Sequence, residues 1–270
     1  MNNHSFVVLA YGDSPYLQDC LSSLKNQTVE SNIYITTSTP SPFILTTAQQ
    51  YGVEVFTTVP GKGITHDWNF GLVTGDTKYV TLAHQDDVYL PDYTLKCLQA
   101  AERFPDTLIC FSDYSELVNA NERASNRLLR IKRFTLSLFM PFKKNIKSRF
   151  WKKRSLSLGN SISCPAVMYN MHNLPGFRFS KEFSINLDWY AWLTMAKMKG
   201  RFVYVPEILM QHRIHSDSET TAGLKGNIRQ EEDMRMFREF WPAFFAKFLV
   251  KLYAGGYKSN KVNDKTELAK

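Results

Sequence analysis

The stretch Tyr79-Val80-Thr81-Leu82-Ala83-His84-Gln85-Asp86-Asp87 decides the fold. Its first five residues form a short apolar run, as expected of a strand covered on both faces, and the run ends on two adjacent carboxylates. Upstream, Phe6 to Ala10 is a similar run, broken by Tyr11-Gly12-Asp13-Ser14-Pro15. Tyr16 to Lys25 then sets Leu17, Leu21 and Leu24 on one helical stripe, with Ser14 as its expected cap. The unit repeats: a strand at Asn32 to Thr36, a helix after the Ser/Thr/Pro loop at 37–42, a strand at Val53 to Phe56 and a helix at Thr65 to Leu72. Such alternation predicts an α/β fold with an open, mostly parallel sheet flanked by helices. In such a sheet the ligand lies beyond the carboxyl ends of the strands, where the loops at 10–13, 36–39 and 84–87 converge.

Downstream, the pattern predicts a helix over Pro91 to Phe104, strands at Leu108 to Ser112 and Ser163 to Tyr169, and a helix opening near Asn186 to Asp188. A last strand spans Arg201 to Pro206. An aromatic-rich helix at Phe237 to Tyr253 makes a C-terminal appendage. The expected organisation is a domain over 1–225 (halves at about 1–115 and 159–225, a basic amphipathic insertion at about 123–158), a helical segment at 226–256 and a disordered tail at 257–270.

At 270 residues, 44% hydrophobic and 14% aromatic, the chain can bury a full-sized core. Cys20, Cys97, Cys110 and Cys164 are widely spaced and read as buried reduced thiols. Neither an export signal nor a membrane-crossing run is legible, so a cytoplasmic protein is expected. Net charge is +8, but fourteen of the positive charges lie between Arg123 and Lys181, where no Asp or Glu occurs. The stretch at 127–154 mixes those cations with Leu, Phe and Trp, as in an amphipathic surface helix pair. It is expected to dock on the anionic inner face of a membrane, at about 1 kcal/mol per nearby Lys or Arg; an ordinary solvated helix is the bland alternative. The C-terminal aromatics suit a core or a homodimer face better than an anchor.

Two adjacent carboxylates at a strand end form a hard, oxygen-donor site suited to Mg²⁺ or Mn²⁺ bridging a diphosphate. Alone, an Asp-Asp pair also describes a solvated turn or a helix cap. Together with Tyr11, Trp68-Asn69-Phe70-Gly71, Asn186-Leu187-Asp188-Trp189 and His212-Arg213-Ile214-His215, the acidic loop resembles that of glycosyltransferase family 2, inverting enzymes with the GT-A fold, over roughly residues 5–220.

The resemblance implies Asp86 as the leading metal ligand, with Asp87 assisting and His215 as a third. It implies donor contacts from Ala10, Tyr11, Thr36, Thr37, Asp67, Asn69, His84, Gln85, Asp87 and Arg213, and Asp188 as the base that deprotonates the acceptor hydroxyl. His84 stands where the family usually has Asp, Thr36-Thr37-Ser38 replace its paired Asp residues, and Leu187 replaces a Glu. Implied partners are a nucleoside diphosphate sugar, with UDP the default and dTDP the alternative, and a lipid-linked or polysaccharide acceptor in cell-surface glycan synthesis. A nucleic-acid-binding protein would leave the acidic loop without a role, and a nucleotidyltransferase would need a triphosphate cradle that Tyr11-Gly12-Asp13-Ser14-Pro15 does not supply. A non-catalytic sugar-nucleotide binder is the remaining rival.

Overall fold

The computed structural model describes residues 2–118, 121–140, 142, 144–215 and 228–257. In chain order its elements are β1 (His4–Ala10), α1 (Leu17–Lys25), β2 (Asn32–Thr37), α2 (Pro42–Tyr51), β3 (Glu54–Thr57), α3 (Ile64–Thr74), β4 (Tyr79–His84), β5 (Val88–Tyr89), α4 (Tyr93–Glu102) and β6 (Thr107–Val118). There follow β7 (Asn121–Arg123), α5 (Arg127–Phe139), β8 (Asn145–Ile146), α6 (Arg149–Ser155), β9 (Val167–Asn170), α7 (Leu187–Ala196), β10 (Arg201–Ile214), α8 (Ile228–Arg238) and α9 (Ala243–Tyr257). The expected tail beyond Tyr257, and Lys143 of the basic stretch, lie outside the described residues.

One mixed sheet runs in the order β3-β2-β1-β4-β9-β6-β10-β5. The first four strands are mutually parallel, as the alternation predicts. Strand β9 is antiparallel to both β4 and β6, and β6 runs parallel to β10. Alternate residues of β1 point to opposite faces: Val7 joins one apolar core with Leu72 and Trp192, while Phe6 and Val8 join a second with Leu21 and Tyr93. Helices cover both faces, which makes this an open three-layer α/β fold.

Several elements depart from the sequence reading: β6 runs past Ser112 to Val118, and the expected helix at Phe237 to Tyr253 breaks between Arg238 and Ala243. Ser14 does not cap α1; its hydroxyl accepts from the Tyr16 N–H at 3.3 Å, and Tyr16 holds the N-cap position without a side-chain bond. Strand β10 does not stop at Pro206. A register shift between Val205 and Ile208 accommodates the proline, as a bulge does, and the strand continues to Ile214. The expected return strand at 163–169 begins as a 3₁₀ turn at Cys164–Ala166 and is extended only from Val167.

The basic stretch forms the two expected helices, α5 and α6, but not all its cations face water. Lys152 is fully buried, and its ammonium donates to the carbonyls of Met198 and Gly200, both at 2.9 Å. Burial pushes its pKa down to about 8. It therefore belongs to the interior, not to a docking surface. The C-terminal aromatics also divide: the Tyr253 ring meets Trp189 at 5.8 Å, while Phe244, Phe248 and Leu252 are exposed.

Candidate active site

Strand register explains why distant residues meet. Leu9 pairs with Thr36 on one side and with His84 on the other, and Ala10 pairs with Thr37, so three parallel strands end level with one another. Helix α3 comes close enough to join them because Gly71 lies against Leu9: a Cβ there would meet the Leu9 side chain at 2.7 Å. That approach brings Trp68 to 5.4 Å from the His84 ring. One residue earlier in the chain, Asp67 accepts from Ser38 Oγ at 2.9 Å.

Gln85 ties the β4 loop to the β1 loop. Its amide donates to the Tyr11 carbonyl at 2.8 Å and accepts from the Tyr11 N–H at 3.1 Å, leaving the Tyr11 ring exposed over the crevice. Thr37 Oγ1 accepts from the Thr39 N–H at 3.0 Å, which shapes the loop after β2. Asn69 gives both halves of its amide to the Phe179 backbone, at 2.9 and 2.7 Å. The structure thus places it as a brace between α3 and the 179 segment.

The acidic loop is held from β10. Asp87 is fully buried, and its Oδ1 accepts from the Arg213 N–H at 2.9 Å and lies 2.9 Å from His212 Nδ1. Burial pushes His212 down, but the Asp87 charge outweighs it and raises the imidazole to about 9, so it is cationic at neutral pH. His215 Nε2 lies 2.8 Å from Asp86 Oδ2. Burial pushes the Asp86 carboxyl up, yet the His215 bond and the charges of His84, His212 and His215 hold it below the usual range. Arg213 is nearly buried: its Nε donates to the Asp86 carbonyl at 2.8 Å, a terminal nitrogen donates to Asp19 at 3.0 Å, and the guanidinium sits 4.2 Å over the Tyr16 ring. It braces the loop from behind.

His84, Asp86 and Asp87 offer ligand atoms within 4.8 Å of one another, a mixed N/O set that fits a divalent ion. Four buried polar atoms without a hydrogen-bond partner lie around this crevice: Thr36 Oγ1, Asp67 Oδ1, His84 Nε2 and Asp87 Oδ2. Folded proteins rarely leave such atoms unmatched, and here they gather where three strands end.

Asp188 opens α7. Its Oδ2 accepts from Asn160 at 2.6 Å and its Oδ1 from the Trp189 N–H at 2.7 Å. Burial raises its pKa, opposed by those two bonds and by the charges of Lys132 and Arg229. Lys132 donates to the Tyr114 hydroxyl at 2.9 Å, and the Tyr114 ring edges His212 at 6.3 Å. Lys132, Tyr114 and His212 thus make a chain that ends on Asp87 of the acidic loop. Asp113 sits within β6, where it accepts from Tyr204 Oη at 2.9 Å.

Sequence reasoning passed over Tyr114, Lys132, Asn160 and Glu232. Glu232 of α8 accepts from the N–H groups of Ser184, Ile185 and Asn186 at 2.8 to 2.9 Å, fixing the entry to α7 and so Asp188. An acidic residue inside a charged helix offers no local signal of that role.

A crevice at the carboxyl ends of parallel strands is where open α/β proteins bind their ligands, and here paired carboxylates lie in one of its loops. Solved structures similar in fold to this chain include S. aureus TarS 1-349 (11% identity, TM-score 0.60, covering 93% of this chain and 69% of that one). The same protein in complex with UDP-GlcNAc gives 11% identity and a TM-score of 0.60 over 96% and 73% of the two chains. The mannosyltransferase PcManGT from Pyrobaculum calidifontis, in complex with GDP-Man and Mn²⁺, gives 10%, 0.62, 95% and 74%. Comparison with curated protein sequences finds no match. The family model described as Glycosyl transferase family 2 matches residues 5–167, and the chain belongs to that family.

Proposed function

We propose that the protein is an inverting, metal-dependent glycosyltransferase that moves a sugar from a nucleoside diphosphate sugar to a hydroxyl of a lipid-linked or polysaccharide acceptor. The observation that carries this reading is the gathering of unpartnered polar atoms from Thr36, Asp67, His84 and Asp87 beside Asp86. The UDP-GlcNAc and the GDP-Man with Mn²⁺ named for the structural neighbours support a donor of the same chemical class.

Asp86 and Asp87, with His84 and His215 beside them, would hold Mn²⁺ or Mg²⁺. When bound, such an ion supplies positive charge that offsets the negative charge of the departing nucleoside diphosphate. Tyr11, Thr36, Asp67 and Gln85 orient the donor, and Ala10, Thr37 and Asn69 shape the walls that carry them. Arg213 keeps the acidic loop in place, and its own charge is matched by Asp19.

Asp188 takes the proton from the acceptor hydroxyl as that oxygen bonds to the anomeric carbon. The bond from that carbon to the diphosphate breaks, and the nucleoside diphosphate leaves with the electron pair. Asn160 and the Trp189 N–H keep the Asp188 carboxylate aimed. Its raised pKa makes it a stronger base than an exposed Asp, which suits the task.

A screen of UDP-, GDP- and dTDP-sugars for transfer or hydrolysis with Mn²⁺ tests this reading, with NMR of the product reporting the anomeric configuration. Asp188→Asn is expected to bind donor normally and to lose transfer by about 10³-fold. Full activity of Asp188→Asn, or a retained anomeric configuration, would overturn the mechanism.

A further inference from the structure

Helix α5 buries Leu129 and Leu136, as a surface helix does, yet its outer side is also partly apolar. Its inward side includes two cations: Lys132 donates to the Tyr114 hydroxyl and Arg133 to the Tyr114 carbonyl. Its outward stripe, at helical spacing, is Arg127, Arg130, Ile131, Phe134 and Leu138. Phe134 is 68% exposed where an ordinary surface helix would put a polar side chain. Helix α9 repeats the arrangement, with Phe244, Phe248 and Leu252 outward and Lys247 and Lys251 beside them.

Helix α6 joins the two. The Trp151 ring lies 6.3 Å from Phe139 of α5, and the Arg154 guanidinium lies over both Phe150 and Trp241, at 5.4 and 5.0 Å. Trp241 in turn meets Phe245 of α9 at 6.2 Å. Scattered apolar residues on a surface need no explanation, but a face that carries them across three joined helices does. A cleft of about 350 Å³ opens within it between α5 and α6, lined by Leu138, Phe139, Ile146, Lys147 and Trp151 among others.

We propose that the outer face of α5, α6 and α9 is an interfacial docking surface for an anionic lipid bilayer. Charge selects this occupant. None of the three helices contains an Asp or Glu, so two copies meeting symmetrically through this face would oppose cation to cation. A soluble polyanion would match the cations and leave Phe134, Phe244 and Phe248 in water. Anionic headgroups over acyl chains match both. No helix among the described residues is long and apolar enough to cross a membrane, so the helices lie in the plane of the interface.

The inner side of α5 carries Lys132 and Arg133, both bonded to Tyr114, whose ring edges His212, so docking sets this side of the crevice beside the bilayer. This deepens the glycosyl-transfer reading, on which the choice of a bilayer-anchored acceptor rests.

Flotation of the full chain with phosphatidylcholine vesicles, with and without phosphatidylglycerol, tests the proposal. Bound protein is expected to rise about tenfold with the anionic lipid, and Trp fluorescence to shift to the blue. Phe134→Ser with Phe248→Ser, and separately Arg130→Glu with Lys247→Glu and Lys251→Glu, should abolish flotation. Both variants should keep the metal-dependent thermal stabilisation by nucleoside diphosphate, which reports an intact fold and crevice. Binding indifferent to anionic lipid or to these variants overturns the proposal, as does a solution dimer that the variants convert to monomer. Loss of flotation alone leaves glycosyl transfer standing; flotation without any nucleotide effect supports docking and removes the transfer reading.

Discussion

At the scale of single residues, the account turns on atoms that have no partner inside the protein. Asp87 is matched on one oxygen by His212 and the Arg213 N–H, while its other oxygen, with His84 Nε2, is unmatched and buried. Removing charge at Asp86 should therefore weaken metal binding without disturbing the scaffold. Asp86→Asn is expected to lose a stabilisation of about 2.7 kcal/mol by nucleoside diphosphate at 100 times its Kd, read as a melting shift in Mn²⁺. The raised pKa of Asp188 makes a second prediction. A base acts only when deprotonated, so the transfer rate should fall as pH drops through a value above the usual carboxylate range, not near 3.9. Asp86, Asp87 and Asp188 were legible because each sits at a strand or helix end, where a short pattern marks it. Asn160 and Tyr114 were not, since Asn160 meets Asp188 across 28 residues and Tyr114 meets Lys132 across 18. No local spacing encodes such contacts.

At the scale of elements, the alternation of apolar runs and helical stripes suffices to predict β1 to β4 and the helices between them. It says nothing of partners that arrive from afar. Strand β9 enters the sheet antiparallel between β4 and β6, and β10 passes Pro206 on a bulge; neither is marked by periodicity. Helix α8 was legible as a charged helix, but not its duty. Burial pushes Glu232 up, yet the N–H groups of Ser184, Asn186 and Ile185 outweigh it and hold the carboxyl below its usual value. Its stabilisation is complete above the unfolded pKa of about 4.3 and is lost as pH falls through the lower folded value. Glu232→Ala, which strands three backbone donors, should cost about 3 kcal/mol in denaturant melts at neutral pH and less as pH falls through the folded value.

At the scale of the whole molecule, one buried imidazole should shape acid stability. His4 is fully buried between Ser31 Oγ and Thr81 Oγ1, at 2.8 and 2.9 Å, and burial pushes its pKa down to about 3. The unfolded chain takes up this proton near pH 6.5 and the folded chain does not. Stability should therefore fall with pH below 6.5, by up to about 1.4 kcal/mol per unit from this group, and His4→Gln should flatten that slope. The fold class and the basic segment were foreseeable from sequence; the division of the core into two by the sheet was not. That α5, α6 and α9 make one face was not, because the joining contacts of Arg154 and Trp241 exist only in three dimensions.

The central claim, that these strand ends hold a nucleoside diphosphate through a divalent ion, is tested most directly by thermal melting with UDP, GDP and dTDP, each with and without Mn²⁺. The account predicts that at least one nucleotide raises the melting temperature in the presence of Mn²⁺ and not in its absence. A melting temperature unmoved by all three nucleotides with Mn²⁺ present would contradict it.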